Sequence, residues 1–279
     1  MLFLPIYDDN PTRRTPVVTM ALIALCVMVF LWQLSLGARA GNLAVYSFGL
    51  VPAVLFGYAD LPEPLRVVPP WMSVVTSMFM HGGFLHLAGN MLYLWIFGNN
   101  VEDSMGRGRF VVFYLLCGTA AALAQSFAAP TSQVPMVGAS GAIGGVLGAY
   151  LVLHPRANVG VFFWFIIIVR VISVPAVLVL GFWFLGQILS GVTTPTSDDS
   201  GGVAFWAHVG GFVMGAALIP FFKRPEGRLL EPAHSRAFAV VPPDTRLRRG
   251  SVPAAGAAAG TLPPRASTGR PQLTAFCVG

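Results

Sequence analysis

Several stretches of this chain run to about 20 mostly apolar residues, and stretches of that length constrain the fold more than any other feature of the sequence. A helix of about 20 residues crosses the hydrocarbon core of a bilayer, which is roughly 30 Å thick. Charged residues make up only 10% of the chain, well below the roughly 25% that is typical of soluble domains. The sequence therefore predicts an all-α, polytopic membrane protein.

Six apolar segments are predicted to be transmembrane helices, and the fourth of them is unusually short. At 1.5 Å per residue the fourth segment would be about 21 Å long, so it must begin below one surface of the bilayer. The proline-interrupted residues 38–80 are predicted to be a loop partly embedded in the membrane interface, and residues 159–173 an interfacial connector. The predicted spans are roughly residues 16–37, 84–102, 108–128, 140–154, 174–190 and 203–222.

Arginine and lysine residues are concentrated in one set of loops, which indicates the orientation of the chain. They occur in the N-terminal segment, in the turns after the second and fourth spans, and at the start of the tail. Because cytoplasmic loops are enriched in positive residues, we expect both termini in the cytoplasm and the protein in the plasma (inner) membrane. The predicted parts are a cytoplasmic N-terminal segment (1–15), a six-span domain (16–222) and a disordered, basic cytoplasmic tail (223–279).

The net charge of +6 does not indicate a nucleic-acid partner, because the positive residues lie at the ends of spans and in the tail. The tail is expected either to lie against anionic lipid or to stay solvated. The three cysteines are too few and too scattered for a disulfide framework or a metal cluster. The lipid bilayer is therefore the partner that the charge pattern favours.

Few polar residues fall inside the predicted spans, and four of them lie at similar depth. His86 and Asn90 are four residues apart near the outer end of span two, so they share one helical face. Ser140 begins span four on the same side, and His208 lies about one turn into span six. Polar groups inside a membrane are costly, so each of them is a functional hypothesis.

Glycines favour close packing between the two spans that carry Ser140 and His208. Small residues at four-residue spacing let membrane helices approach closely, and such an approach would bring the serine hydroxyl within reach of the imidazole. A neutral imidazole could then accept the serine proton as a general base. No Asp or Glu lies in a predicted span near His208, so the pattern predicts a Ser–His dyad. The spaced glycines are Gly141 with Gly145, Gly144 with Gly148, and Gly211 with Gly215.

Hydrolysis also needs donors for an oxyanion, and His86, Asn90 and the backbone N–H of Ser140 are the candidates. Each residue alone has a simpler interpretation. A serine at a glycine-rich helix start usually packs, a histidine in a span usually lines a cavity, and an asparagine often links helices. His81 and His86 lack a third ligand, so neither a metal nor a cofactor is expected. Gln125 could hold water near the site or could simply pack between helices.

Three motifs together resemble the rhomboid family of intramembrane serine proteases. They are "HGGFLHLAGNMLYLWIFGNNVEDSMGRGRF", "GASGAIGGVLGAY" and "AHVGGFVMG", in the family's order and spacing, over roughly residues 10–222. The resemblance implies a six-helix rhomboid-like bundle with Ser140 as the nucleophile and His208 as the base. It further implies that His86 and Asn90 stabilise the oxyanion. The substrate would be a single transmembrane helix, and residues 191–202 would match the family's mobile cap over the site.

Two positions depart from the family pattern. Many members carry an aromatic residue four positions after the serine, stacked on the catalytic histidine, where this chain has Gly144. The family's Trp-Arg pair in the first long loop is not evident either. The orientation of the imidazole is then expected to rely on other neighbours.

The sequence therefore predicts an intramembrane serine endopeptidase that cleaves single-span substrates, and it does not specify an oligomeric state. One alternative is a rhomboid-like pseudoprotease that binds membrane helices without cleaving them. Such proteins usually lose one of the dyad residues, and both Ser140 and His208 are present. A second alternative is a transporter or channel, which would favour intramembrane charges or an inverted repeat, and neither is seen.

Overall fold

The computed structural model of the chain describes residues 2–165, 168–194 and 203–239. The described residues form mainly α-helices, together with one small sheet. The strands are β1 (Leu2–Asp8), β2 (Asn158–Phe165) and β3 (Ile168–Pro175). The helices are α1 (Val17–Ser35), α2 (Gly37–Phe48), α3 (Pro52–Leu55), α4 (Pro70–Thr76), α5 (Phe84–Met105), α6 (Arg107–Ala128), α7 (Ser140–Leu153), α8 (Ala176–Thr193) and α9 (Phe205–Phe222).

Four of the helices in the described ranges, namely α1, α6, α8 and α9, are long and apolar enough to cross a bilayer. Helix α7 is apolar but has only 14 residues. Helix α5 has 22 residues, and its last two turns carry polar side chains such as Asn99, Asn100 and Glu102. The chain is thus a largely helical, integral membrane protein, and the count of six spans stays a prediction.

Helix α7 is enclosed by the rest of the molecule. Eleven of its 14 residues are buried, among them Val146, Leu147 and Tyr150. It packs against α5, α6, α8 and α9. A helix that is apolar on all sides can be buried on all sides, which explains how a segment too short to span can occupy the centre of the bundle.

Glycines allow α7 and α9 to pack backbone to backbone, as their spacing predicts. A Cβ atom at Gly211 would overlap the carbonyl oxygen of Gly141, and one at Gly215 would overlap that of Gly145. A Cβ atom at Gly148 would overlap the carbonyl oxygen of Phe212. Any side chain at these positions would push the two helices apart.

The three-stranded antiparallel sheet, in the order β1-β2-β3, corrects the prediction of an all-α fold. Strands β2 and β3 form a hairpin from residues that the sequence assigns to an interfacial connector. Their valine, isoleucine and aromatic residues favour strands, but a nearly continuous apolar run does not reveal strand alternation. Strand β1 pairs with β2, which lies about 150 residues later in the sequence, and no local sequence pattern predicts such a pairing.

The first long loop contains helices rather than irregular backbone alone. Helices α2, α3 and α4 lie within or beside residues 38–80. Thr76 at the end of α4 donates a hydrogen bond to the carbonyl of Phe48, at 2.6 Å. Leu50 pairs through its backbone with Met136, just before α7. The loop is therefore tied to the segment that leads into the site.

Buried carboxyl groups join the N-terminal residues to α5 and α7. Glu102 on α5 accepts hydrogen bonds from the backbone N–H groups of Val18 and Thr19 and from the Thr19 hydroxyl, at 2.8–3.0 Å. It therefore caps the N-terminus of α1, where backbone N–H groups would otherwise lack partners. Asp8 accepts hydrogen bonds from Tyr150 Oη and Asn100 Nδ2, each at 2.7 Å.

The residues that follow α9 pack against the same end of the bundle. The backbone N–H groups of Leu230 and Glu231 donate to the carbonyls of Val152 and Leu153, the last two residues of α7. Arg224 N donates to the carbonyl of Ser104. These contacts differ from the disorder predicted for the whole of 223–279, and residues 240–279 lie outside the part of the chain that the structure describes.

Candidate active site

Ser140 is the first residue of α7, and it follows a turn of the backbone at Gly138. Gly138 has a φ of +126°, a backbone conformation that residues with a side chain rarely adopt. Its N–H donates to the carbonyl of Ser77 at 2.9 Å, which anchors the turn to the end of α4. The half-buried Ser140 thus lies where the chain enters the bundle.

The side chains of Ser140 and His208 are in contact. Ser140 Oγ lies 2.8 Å from His208 Nε2, a normal hydrogen-bond distance. His208 lies one turn into α9 and is only 8% exposed. The glycine packing of α7 on α9 brings the two residues together, although 68 positions separate them in the chain.

Two residues of α8 that the sequence analysis does not single out also contact His208. Gln187 Oε1 lies 2.7 Å from His208 Nδ1. The ring of Trp183 lies against the imidazole, with 5.7 Å between ring centroids and 37° between ring planes. One signal could have found both: they are four residues apart in an apolar span, so they share a face, and a glutamine in a span is itself unusual.

His86 and Asn90 lie beside the turn that precedes Ser140. A Cβ atom at Gly138 would be 2.7 Å from His86 Nε2 and 3.5 Å from Asn90 Nδ2. Asn90 Nδ2 is buried and has no hydrogen-bond acceptor among the described residues. The site thus contains a donor that is free to bind a new acceptor close to Ser140.

A cavity of about 1150 Å³ connects these groups. Ser140, His208, His86, Asn90 and Trp183 all line it. The structure therefore brings together all four of the predicted site residues, which come from α5, α7 and α9.

Gln125 on α6 lines the same cavity, and its buried Oε1 atom has no hydrogen-bond partner within the described ranges. This geometry leaves both predicted roles, water binding and packing, open to Gln125. Of the predicted cap, 191–202, residues 195–202 lie outside the described residues, and residues 191–193 are the last turn of α8.

The arrangement has the parts of a nucleophilic site. A hydroxyl hydrogen-bonded to a ring nitrogen can lose its proton to that nitrogen as it attacks a carbonyl. Donors beside the hydroxyl can stabilise the oxyanion that forms. The described part of the chain contains no group of three or more His, Cys, Asp or Glu side chains that could hold a metal ion.

Comparison with known proteins identifies the family. Residues 69–225, more than half of the chain, match the rhomboid domain model. The chain is 31% identical over 209 residues to the protein named rhomboid protease GluP of Bacillus subtilis, an alignment that covers 73% of this chain and 35% of that protein. It is 29% identical over 189 residues to rhomboid protein 1, mitochondrial, of Saccharomyces cerevisiae, covering 61% of this chain and 51% of that protein.

A third relative, presenilin-associated rhomboid-like protein A, mitochondrial, of Danio rerio, is 30% identical over 169 residues, which cover 58% of this chain and 40% of that protein. The alignments thus cover about a third to a half of the relatives' lengths. The matched domain runs from the start of α4 to just beyond α9 and contains all four predicted site residues. This chain belongs to the rhomboid family.

Proposed function

We propose that this chain is an intramembrane serine endopeptidase that cleaves single-span transmembrane substrates through Ser140 and His208. The observation that carries the proposal is the 2.8 Å contact between Ser140 Oγ and His208 Nε2 at the wall of a large cavity. The family supports the proposal, since one of the relatives is named a protease. The pseudoprotease alternative has no comparable support, because both residues of the dyad are present and in contact.

In the proposed reaction, Ser140 Oγ attacks the carbonyl carbon of the scissile peptide bond while its proton passes to His208 Nε2. The carbonyl oxygen becomes an oxyanion, which accepts hydrogen bonds from Asn90 Nδ2, His86 and the Ser140 backbone N–H. The free amide of Asn90 suits this role, because it gains an acceptor only as the oxyanion forms.

The intermediate then collapses. The C–N bond breaks, and His208 Nε2 gives its proton to the leaving amine, which leaves an ester between Ser140 Oγ and the substrate. A water molecule in the cavity then transfers a proton to His208 Nε2 as its oxygen attacks the ester carbonyl. As the second intermediate collapses, the bond between its carbon and Ser140 Oγ breaks, and His208 Nε2 returns the proton to Ser140 Oγ. The product leaves as a carboxylic acid and loses its remaining proton to water.

We also propose that the end of the bundle opposite Ser140 faces the cytoplasm. Arg109 on α6 donates to the carbonyls of Phe222 and Lys223, at 3.3 Å, and Arg224 lies beside the end of α5. These basic residues therefore collect at one end of the bundle, as expected for a cytoplasmic face. This orientation puts both termini in the cytoplasm, and the plasma (inner) membrane remains the proposed location.

The test is cleavage of a single-span reporter in liposomes by the purified chain. The reporter would carry small, helix-weakening residues near one membrane surface. We expect cleavage by the wild type and none by Ser140→Ala or His208→Ala. Ser104→Ala is the matched control and should cleave normally, because the Ser104 hydroxyl donates to the carbonyl of Val101, at the end of α5 far from the site.

Cleavage that survives in Ser140→Ala would refute the assignment of the nucleophile. Failure of the wild type to cleave any helix in a reporter panel, while it still binds the reporters, would instead establish the pseudoprotease alternative. Binding is measured independently by co-purification of the reporter with the full chain.

A further inference from the structure

We propose that Gln187 is a positioning residue that holds His208 in the tautomer that accepts the Ser140 proton. This inference rests on the proposed protease function and adds a third residue to the predicted dyad. The sequence predicts a dyad because no Asp or Glu falls in a predicted span near His208. The structure places an uncharged amide oxygen at that position instead, 2.7 Å from Nδ1.

The hydrogen bonds form a chain with one consistent direction. For Ser140 Oγ–H to donate to His208 Nε2, that nitrogen must carry no proton, so the proton of the neutral ring is on Nδ1. The Nδ1–H group then needs an acceptor, because an unpaired donor in a buried ring is costly. Gln187 Oε1 is this acceptor, and it makes the reactive tautomer the favoured one.

The same helix also fixes the plane of the imidazole. Trp183 lies one turn before Gln187 on α8, and its ring packs on His208. Trp183 is itself placed by Phe212, whose ring centroid is 6.2 Å away. One face of α8 therefore supplies both a ring contact and a hydrogen bond to the same histidine.

Gly144 explains why α8 rather than α7 orients the imidazole. A Cβ atom at Gly144 would lie 3.0 Å from the carbonyl oxygen of His208 and 3.5 Å from Phe212 N. Helix α9 thus occupies the space beside Gly144 that an aromatic side chain would need. The departure from the family's aromatic residue at this position is matched by contacts from α8.

The uncharged amide has a physical advantage inside a membrane. An ionised carboxylate at the same position would have to be desolvated, whereas an amide oxygen can orient Nδ1–H without carrying a charge. The amide also offers less stabilisation than a carboxylate to the imidazolium that forms during catalysis. Gln187 therefore mainly selects the tautomer and orientation of the ring.

The first test separates turnover from substrate binding in the reconstituted full chain. Gln187→Met keeps the length of the side chain but removes the acceptor, and Gln187→Glu keeps an acceptor oxygen. We expect Gln187→Met to lower kcat about 10-fold to 100-fold with KM unchanged, since a hydrogen bond to a group that becomes charged is lost. Gln187→Glu should keep most of the wild-type kcat. Leu185→Met, an exposed position on the same helix, is the control and should behave as wild type.

The second test reads the tautomer directly and does not depend on cleavage. The full chain is labelled with ¹⁵N at its histidine rings, and a His208→Asn spectrum assigns the His208 signals among the five histidines. We expect the wild type to carry its proton on Nδ1 alone. Gln187→Met should give a mixture of tautomers, whereas Leu185→Met should give the wild-type spectrum.

The two tests distinguish the failure of this inference from the failure of the proposed function. A wild type that cleaves, with Gln187→Met unchanged in both kcat and tautomer, overturns the role of Gln187. An equal loss of kcat in Gln187→Met and Gln187→Glu, with an unchanged tautomer, also overturns it. If the wild type cleaves no reporter, the protease function fails, and the tautomer measurement alone then decides whether Gln187 positions His208.

Discussion

Replacing Asp8 by Asn should remove a pH dependence from the stability of the folded chain. Asp8 lies outside the spans, is 1% exposed, and its Oδ1 atom has no hydrogen-bond partner among the described residues. Burial raises the pKa of this carboxyl group from 3.8 to about 7, the Tyr150 hydrogen bond opposes that rise, and the charge of Asp9 adds to it. The folded state therefore binds the Asp8 proton more tightly than the unfolded state does.

The sign and size of the effect follow from this difference. Where the folded state binds more protons, the free energy of unfolding falls as pH rises. The contribution of Asp8 is fully present below pH 3.8 and is lost as the pH rises through about 7. A difference of about three pH units between the two pKa values corresponds to about 4 kcal/mol. Asn cannot ionise, and its side-chain oxygen can still accept the hydrogen bonds from Tyr150 and Asn100.

The assay is unfolding of the full chain in mixed micelles, at pH 4, 6 and 8, for the wild type and Asp8→Asn. The difference in unfolding free energy between the two proteins should change by up to about 4 kcal/mol over this range, in favour of Asp8→Asn at pH 8. Taking the difference cancels the contribution of other titrating groups. Parallel pH profiles for the two proteins would refute the reasoning, because they would mean that Asp8 titrates alike in the folded and unfolded chain.

Three further outcomes follow from the packing and the caps. Gly215→Ala should destabilise the protein by about 1–3 kcal/mol in the same micelle assay, because the added methyl group overlaps a backbone carbonyl of α7. Gly181→Ala is the control and should not destabilise the protein, because its methyl group meets nothing within 4 Å. Equal effects of the two substitutions would contradict the packing argument. Trp183→Leu should lower kcat by roughly 2-fold to 10-fold, the value of one aromatic contact, and an unchanged kcat would show that the ring does not orient His208. Glu102→Gln should lower the unfolding free energy by about 1–3 kcal/mol, since a charged cap on α1 is lost. Glu63→Gln, on an exposed carboxylate, is its control, and matching losses would exclude a capping role.

Much of the helical layout could be predicted because apolar length is a local signal. The predicted spans 108–128 and 140–154 agree with α6 and α7 to within one residue at each end. Glycine spacing also predicted which faces of α7 and α9 meet, since only small residues let two backbones touch. Patterns within one segment were enough for these features.

The features that the sequence did not reveal depend on contacts between distant segments. The sheet joins residues near position 5 to residues near position 161, and a continuous apolar run hides the alternation of its strands. Gln187 is not predicted, for a chemical reason. The usual partner of a catalytic imidazole is an ionisable carboxylate, whereas the amide oxygen of Gln187 accepts the same hydrogen bond without carrying a charge.

The hydrogen bonds from Leu230 and Glu231 to the end of α7 mean that the folded domain extends beyond α9 to at least Glu231. A short helix that stops inside a membrane protein leaves its last carbonyl groups without water to bind them. Here the chain beyond α9 returns to supply the missing donors, and Glu231 Oε2 also lies 3.0 Å from His154 Nδ1 beside them. A protein shortened after Phe222 would keep the residues of every helix named above. It would still lose the two backbone donors that bind the last carbonyls of α7, the helix whose first residue is Ser140.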